Sequence, residues 1–139
     1  MKLKIKLDAG AKMPTRAHEW DAGLDIYARE TKTVFARSSE KFDTGVHVAL
    51  PNGTTGFLKS KSGLNVNHGI TSEGVIDAGY TGSICVKLYN NSNENYIVRA
   101  GDKISQLVIL PVVIPDSIML TQNLEETERG DGGFGSTGR

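Results

Sequence analysis

Residues 83–90 read SICVKLYN. Ile84, Val86 and Leu88 fall on every second position. That is the period of a strand with one buried face, not the 3.6-residue period of a helix. The same alternation recurs in residues 2–7, in GVHVAL (45–50) and in KISQLVILPVV (103–113). Turn chemistry separates the runs: Pro51-Asn52-Gly53, the polar NNSNEN of 90–95, Ala100-Gly101-Asp102 and Pro115-Asp116. Many short strands at such spacing predict an all-β fold, either a sandwich, a jelly roll or a barrel. No window sustains a helical stripe beyond a turn or two, and the best short candidate is the segment after Ser62. With 139 residues the chain makes one domain large enough to bury a core. No repeat or linker interrupts it, and the only distinct segment starts near Glu125, where acidic residues give way to glycine.

Lysine plus arginine balance aspartate plus glutamate at 16 each. No bulk charge therefore advertises a nucleic acid or a membrane, and stable association with either is not expected. A few local cations can still hold a polyanionic ligand. No apolar run approaches transmembrane length. The opening MKLKIKLDAG alternates charge with Leu3, Ile5 and Leu7, so it reads as a strand rather than a signal peptide. A soluble, cytoplasmic protein is expected. The single cysteine, Cys85, leaves no internal disulfide and no cysteine-rich zinc site. Its apolar run makes a buried structural thiol the expectation.

Five polar, glycine-flanked stretches interrupt the strands. In DAGLDIYA (21–28), Asp25 follows a glycine at the start of a strand and also suits a turn. In KSKSGL (59–64), two lysines and two serines precede Gly63, a composition suited to phosphate as well as to a solvated turn. It is not a P-loop, since the G-x-x-x-x-G-K-[ST] spacing is absent. GVIDAGYTG (74–82) carries an apolar Val75-Ile76 pair into Asp77, then a glycine turn and Tyr80. Read as a hairpin, it sets a carboxylate able to take a proton from water beside a ring able to face a sugar or a base. A plain β-turn capped by Asp77 is the competing reading. In GDKISQLVIL (101–110), Gln106 enters an apolar strand and needs partners, from the protein or from a ligand. The last stretch is RGDGGFGSTGR (129–139), with five glycines among residues 130–139. Such tails are usually linkers, but an isolated Phe134 is unusual in a linker. Arg129 can pair with phosphate and Phe134 can stack on a base.

Taken in order, DAGLDIYA, KSKSGL, GVIDAGYTG, GDKISQL and RGDGGFGSTG give the chain a close resemblance to the homotrimeric dUTPases (dUTP diphosphatases), whose five motifs they resemble between residues 21 and 138. The resemblance implies a jelly-roll-like β-barrel over residues 1–124 and a flexible glycine-rich C-terminal arm, residues 125–139, closing over the active site. It implies hydrolysis of dUTP to dUMP and pyrophosphate with Mg2+ across the triphosphate, limiting uracil in DNA and supplying dUMP for dTTP synthesis. Asp77 would activate the water that attacks the α-phosphorus. Lys61 would supply positive charge, Ser62 and Gly63 would hold phosphates, and Gln106 would contact the α-phosphate. Asp25 would hold the metal through water. The backbone of Gly74, Val75 and Ile76 would read the uracil edge, and Tyr80 would pack on the deoxyribose, leaving no room for a 2′-hydroxyl. Arg129, Gly135, Ser136 and Thr137 would close over the γ-phosphate while Phe134 stacks on uracil. The same resemblance implies a homotrimer with shared active sites, and the host cytoplasm if the source is viral.

Three departures stand out. Lys61 occupies the place of the usual arginine and offers a point charge instead of a bidentate fork. The segment TSEGVID is a few residues shorter than in many members and lacks their base-reading asparagine. Gly79 stands where aspartate is common. Two rival readings remain: a dCTP deaminase-type relative using Glu73 as an added acid or base, and a regulatory interaction protein on the dUTPase scaffold. The GVIDAGY sequence and the short length weigh against the first, and the intact third and fifth motifs against the second.

Overall fold

The computed structural model describes residues 1–138; Arg139, the last residue of the expected arm, lies outside the described residues. The elements in chain order are β1 (Lys4–Leu7), β2 (Gly23–Tyr27), β3 (Lys32–Val34), β4 (Ser39–Asp43), β5 (Val46–Ala49), β6 (Thr54–Lys59), α1 (Ser62–His68), β7 (Ile70–Ile76), β8 (Cys85–Asn90), β9 (Tyr96–Val98) and β10 (Lys103–Pro111). One antiparallel sheet runs in the order β2-β10-β6-β7-β8-β4, and β1-β5 and β3-β9 form two smaller pairs. The sheet curls into a jelly-roll-like, all-β half-barrel.

Alternation builds the core. Along β8, Val86 and Leu88 are buried while Cys85, Lys87 and Tyr89 face out. Cys85 is therefore exposed, not a buried thiol. Its neighbours are apolar, but period two sends it to the opposite face from Ile84 and Val86. With Phe42, Ile26, Val46, Ile70 and Leu107 these residues fill the interior, each contributing about 1.5–3 kcal/mol of burial. Strand β10 breaks the alternation at one point. A bulge between Lys103 and Ser105 puts Ile104 and Ser105 both inside.

The buried polar groups are satisfied. Ser105 Oγ lies 2.8 Å from Ser72 Oγ and donates to Lys59 O at 3.0 Å. The Asn90 amide donates to Val34 O and Glu94 O and accepts from Ser92. These bonds fix how the strand ends meet, because leaving any of them unmade would cost the full desolvation of a buried polar atom.

Helix α1 forms where the sequence allows it, in a segment without β-branched runs, and stops at Gly69 with φ 65. A left-handed Gly69 turns the chain straight into β7. Beyond β10, the Val112 N–H donates to Gly53 O. Among the described residues from there to residue 138, hydrogen bonds stay within the segment.

Candidate active site

Three of the five motifs meet at one end of the sheet. Gln106 on β10 lies between Asp25 on β2 and Lys59 on β6, and its amide donates to Ser60 O at 3.0 Å. The side chain crosses Gly23, where a Cβ would stand 2.3 Å from Gln106 Oε1. Gly23 is thus required by an approach from β10, and the sequence alone gives no sign of it.

Asp25 is buried, with its Oδ1 2.5 Å from Lys61 Nζ and its Oδ2 2.7 Å from Lys103 Nζ. Burial pushes its carboxyl pKa upward, but the bonds and charges of Lys103 and Lys61 outweigh that and hold it below the usual carboxylate range. Lys103 is raised in turn by Asp25. The sequence pattern placed Lys61 at the phosphates; the structure places it, with Lys103, on Asp25. Ser62 and Gly63 are the exposed first residues of α1, whose first turn contains no acid.

The third motif has a different setting from the hairpin tip expected of it. Strand β7 pairs with β8 only through Ile70, Thr71 and Ser72, then continues along β6 as far as Ile76 opposite Gly56. Two consequences follow. From Glu73 to Ile76, the edge facing away from β6 has no partner strand among the described residues, so the backbone N–H and C=O groups of this stretch that point away from β6 are available to a ligand, while Ile76 O already accepts from Thr55 Oγ1 at 3.2 Å. Residues 77–84 form a broad loop, with exposed Asp77 at its start. Within that loop Tyr80 Oη donates to Ser83 O at 2.9 Å, and the ring lies over Gly82, where a Cβ would stand 2.5 Å from Oη. Gly79 has open space around it.

Within one chain, the Asp77 end of the third motif does not meet the first, second and fourth motifs, although Gly74 pairs with Leu58 beside Lys59. Asp77 follows Ile76, which faces Gly56, whereas Lys61 lies beyond the other end of β6. Six residues of strand separate the two positions, roughly 20 Å. The fifth motif stands apart as well. Arg129 Nε donates to Gly132 O at 2.8 Å, and Ser136 and Gly138 close local turns. Phe134 is fully exposed with φ 51. Gly135 and Thr137 are exposed in the same segment.

The family model described as dUTPase matches residues 9–138. The deoxyuridine 5′-triphosphate nucleotidohydrolase of Kluyveromyces lactis is 41% identical over 139 residues, covering 99% of this chain and 94% of that protein. The chain belongs to the dUTPase family. The same enzyme of Saccharomyces cerevisiae is 41% identical over 98% of this chain and 94% of its own. Among solved structures, the Staphylococcus bacteriophage 80alpha dUTPase with dUpNHpp superposes with a TM-score of 0.91 at 30% identity, covering 99% of both chains. The dUTPase of the S. aureus phage phi11, in a mutant form with a coordinated structural Mg(II) ion, gives 0.82 at 29% identity over 91% of this chain and 100% of that one. As a dUTPase fold, the present chain keeps the β-barrel of these relatives. Among the described residues no helix is long and apolar enough to cross a membrane.

Proposed function

We propose that this chain hydrolyses dUTP to dUMP and pyrophosphate in a site assembled from several copies of itself. The observation that carries the reading is the unpaired edge of Gly74–Ile76 running directly into Asp77. A planar base can lie against that edge and exchange hydrogen bonds with backbone groups alone. A strand edge is rigid, so a methyl at the position of thymine's would meet backbone that cannot yield. Tyr80 then faces the sugar, its hydroxyl tied to Ser83 O and its ring to Gly82. Asp77 takes a proton from water as the water oxygen attacks the α-phosphorus. The bond from that phosphorus to the β-phosphate's bridging oxygen breaks, and pyrophosphate leaves with the electron pair.

The separation of roughly 20 Å between Asp77 and Lys61 favours a shared site, because a triphosphate is too short to link them within one chain. The phosphates instead meet Ser62, Gly63 and Gln106 of a neighbouring copy, where Lys61 and Lys103 supply positive charge. A homotrimer satisfies this geometry for three sites at once. Residues 125–139 act as the arm. Residues 112–128 can span about 56–61 Å when extended, enough to carry Arg129, Phe134, Gly135, Ser136 and Thr137 to another copy's site. The exposed Ile118, Met119 and Leu120 gain cover in the same assembly.

Mg2+ fits this donor set. Among the described residues no three acidic, histidine or cysteine side chains converge, and Mg2+ characteristically keeps its waters and binds through one carboxylate plus substrate phosphates. Asp25, with both oxygens on lysines, would hold such an ion only through water. An ion bound there would neutralise charge on the triphosphate and make pyrophosphate a better leaving group. Such an enzyme acts in the cytoplasm, where free nucleotides are. Glu73, the residue a deaminase would recruit, is exposed and paired with Lys59 at 3.1 Å.

The test is pyrophosphate release from dUTP, dTTP, dCTP and UTP with Mg2+ present. Turnover of dUTP should far exceed the rest, and Asp77→Asn should lower kcat by roughly 10²–10⁴ while nucleotide still binds. Ammonia from dCTP, or equal rates on dUTP and UTP, would overturn the reading.

A further inference from the structure

His47 lies on β5, outside all five motifs. Its Nε2 is 3.0 Å from Asp8 Oδ2 and its Nδ1 is 2.8 Å from the carbonyl oxygen of Thr81. A carboxylate and a carbonyl oxygen only accept, so both contacts are hydrogen bonds only when both ring nitrogens carry protons. Thr81 follows Tyr80 directly. The loop holding them is also pinned at its far end: Ser83 Oγ donates to Asp43 at 2.5 Å, the Gly45 N–H reaches both Asp43 and Ser83 at 3.0 Å, the Ile84 N–H donates to Val46 O at 2.8 Å, and Ile84 O accepts from the Thr44 N–H and hydroxyl. Arg29 backs Asp43 at 3.3 Å. This second anchor stays ionised near neutrality, because the Ser83 hydroxyl, the Gly45 N–H and the Arg29 charge hold Asp43 below the usual carboxylate range.

We propose that His47, donating from both ring nitrogens, is a positioning residue that fixes the Thr81 carbonyl and through it the Tyr80 ring. It is a determinant of deoxyribose specificity that acts without touching the substrate. The proposal rests on the reading of Tyr80 as the residue facing the sugar.

The chemistry makes the clamp conditional. A neutral imidazole has one N–H for two acceptors. The Asp8 carboxylate takes it, since a charge-assisted bond is roughly twice as strong as a neutral one. Nδ1 then turns a lone pair toward Thr81 O, and the loop is released at that point. The charged groups around the ring come from β1 and the turn after it. Asp8 and the Thr81 carbonyl stabilise the imidazolium, while burial and Lys6, directly across the β1–β5 pair, oppose it. Arg29 and Lys6 also act on Asp8. The balance raises the His47 pKa above its ordinary 6.5. The clamp is therefore complete below that ordinary value and is lost as pH rises through the folded one. An open cavity of about 320 Å³, lined by Lys4, Lys6, His47 and Thr81 among others, gives the ring access to solvent protons.

The experiment measures kcat/KM for dUTP and for UTP from about pH 5.5 to about 9.5, around the histidine range, and takes their ratio. Titration of the substrate phosphates is common to both nucleotides and cancels. The ratio should fall by up to about tenfold, the worth of one hydrogen bond, with the midpoint at which the His47 ring titrates by NMR. Asp8→Asn, nearly isosteric, should move both midpoints to lower pH, and His47→Gln should remove the step. A step that survives in His47→Gln, or whose midpoint ignores Asp8→Asn, would overturn the clamp. If dUTP is not preferred over UTP at any pH, the reading of the site fails instead. The clamp is then judged by whether the Thr81 and Tyr80 amide shifts follow the His47 titration.

Discussion

A Cβ added to Gly82 would stand 2.5 Å from Tyr80 Oη, 2.6 Å from Cζ and 2.9 Å from Cε2. Ordinary contact begins near 3.4 Å, so in Gly82→Ala the ring must withdraw by 0.9 Å or more. Tyr80 is 44% exposed and can swing outward without opening the core. What it gives up is the hydroxyl bond to Ser83 O, about 0.5–1.5 kcal/mol. Gly82 is not among the positive-φ glycines. Alanine there offsets part of the loss by about 0.4–1 kcal/mol through a less flexible unfolded chain. Stability should change by less than about 1 kcal/mol, a few degrees in Tm at most. Catalysis is less tolerant: misplacing a positioning group by 1 Å can cost on the order of 100-fold. The assay pairs thermal unfolding with kcat/KM for dUTP and UTP. A folded Gly82→Ala enzyme with undiminished dUTP preference would refute the placement of Tyr80 against the sugar. A loss of several kcal/mol would show instead that the ring cannot move aside.

Acid should be the weak side of the Asp25 cluster. A depressed folded pKa contributes stability above the unfolded value near 3.9, lost as pH falls through the folded one. In Lys103→Met, burial faces only Lys61, the folded pKa rises, and the acid-unfolding midpoint followed by circular dichroism should move to higher pH; an unchanged acid limb would refute the pairing. Removing residues 125–139 should abolish most turnover with little change in Tm, because hydrogen bonds of that segment stay inside it; retained kcat/KM would remove the arm from the mechanism.

Period two was enough to locate β5, β8 and β10 and to announce an all-β fold, since those strands bury one face against a single core. The same rule, applied one residue at a time, would also have turned Cys85 outward; its apolar neighbours misled because composition carries no phase. The bulge at Ile104 was hidden for the opposite reason. It serves pairing with β2, and pairing is a relation between segments about 80 residues apart. Gly23 and Gly82 show the limit most clearly. Each is a glycine because a specific side chain, Gln106 or Tyr80, crosses it. Motif spacing named the glycines, and only coordinates could name what lies on them. His47 carried no signal, being one histidine in an ordinary strand until Asp8 and Thr81 are seen on its two sides.

The Asp25 corner also bears on the lysine at position 61. An arginine there would present a planar fork that binds a phosphate bidentately and carries its own geometry. An ammonium needs its position imposed from outside, and Asp25 does this by gripping Lys61 and Lys103 on separate oxygens. One carboxylate between two ammoniums leaves the corner net positive, yet keeps the two cations from repelling each other out of place. On the proposed reading, an arriving triphosphate would meet charges already oriented, so less of its binding would be spent on ordering flexible side chains. On that reading the constraint on position 61 has moved from the side chain's own planarity to its buried partner, Asp25.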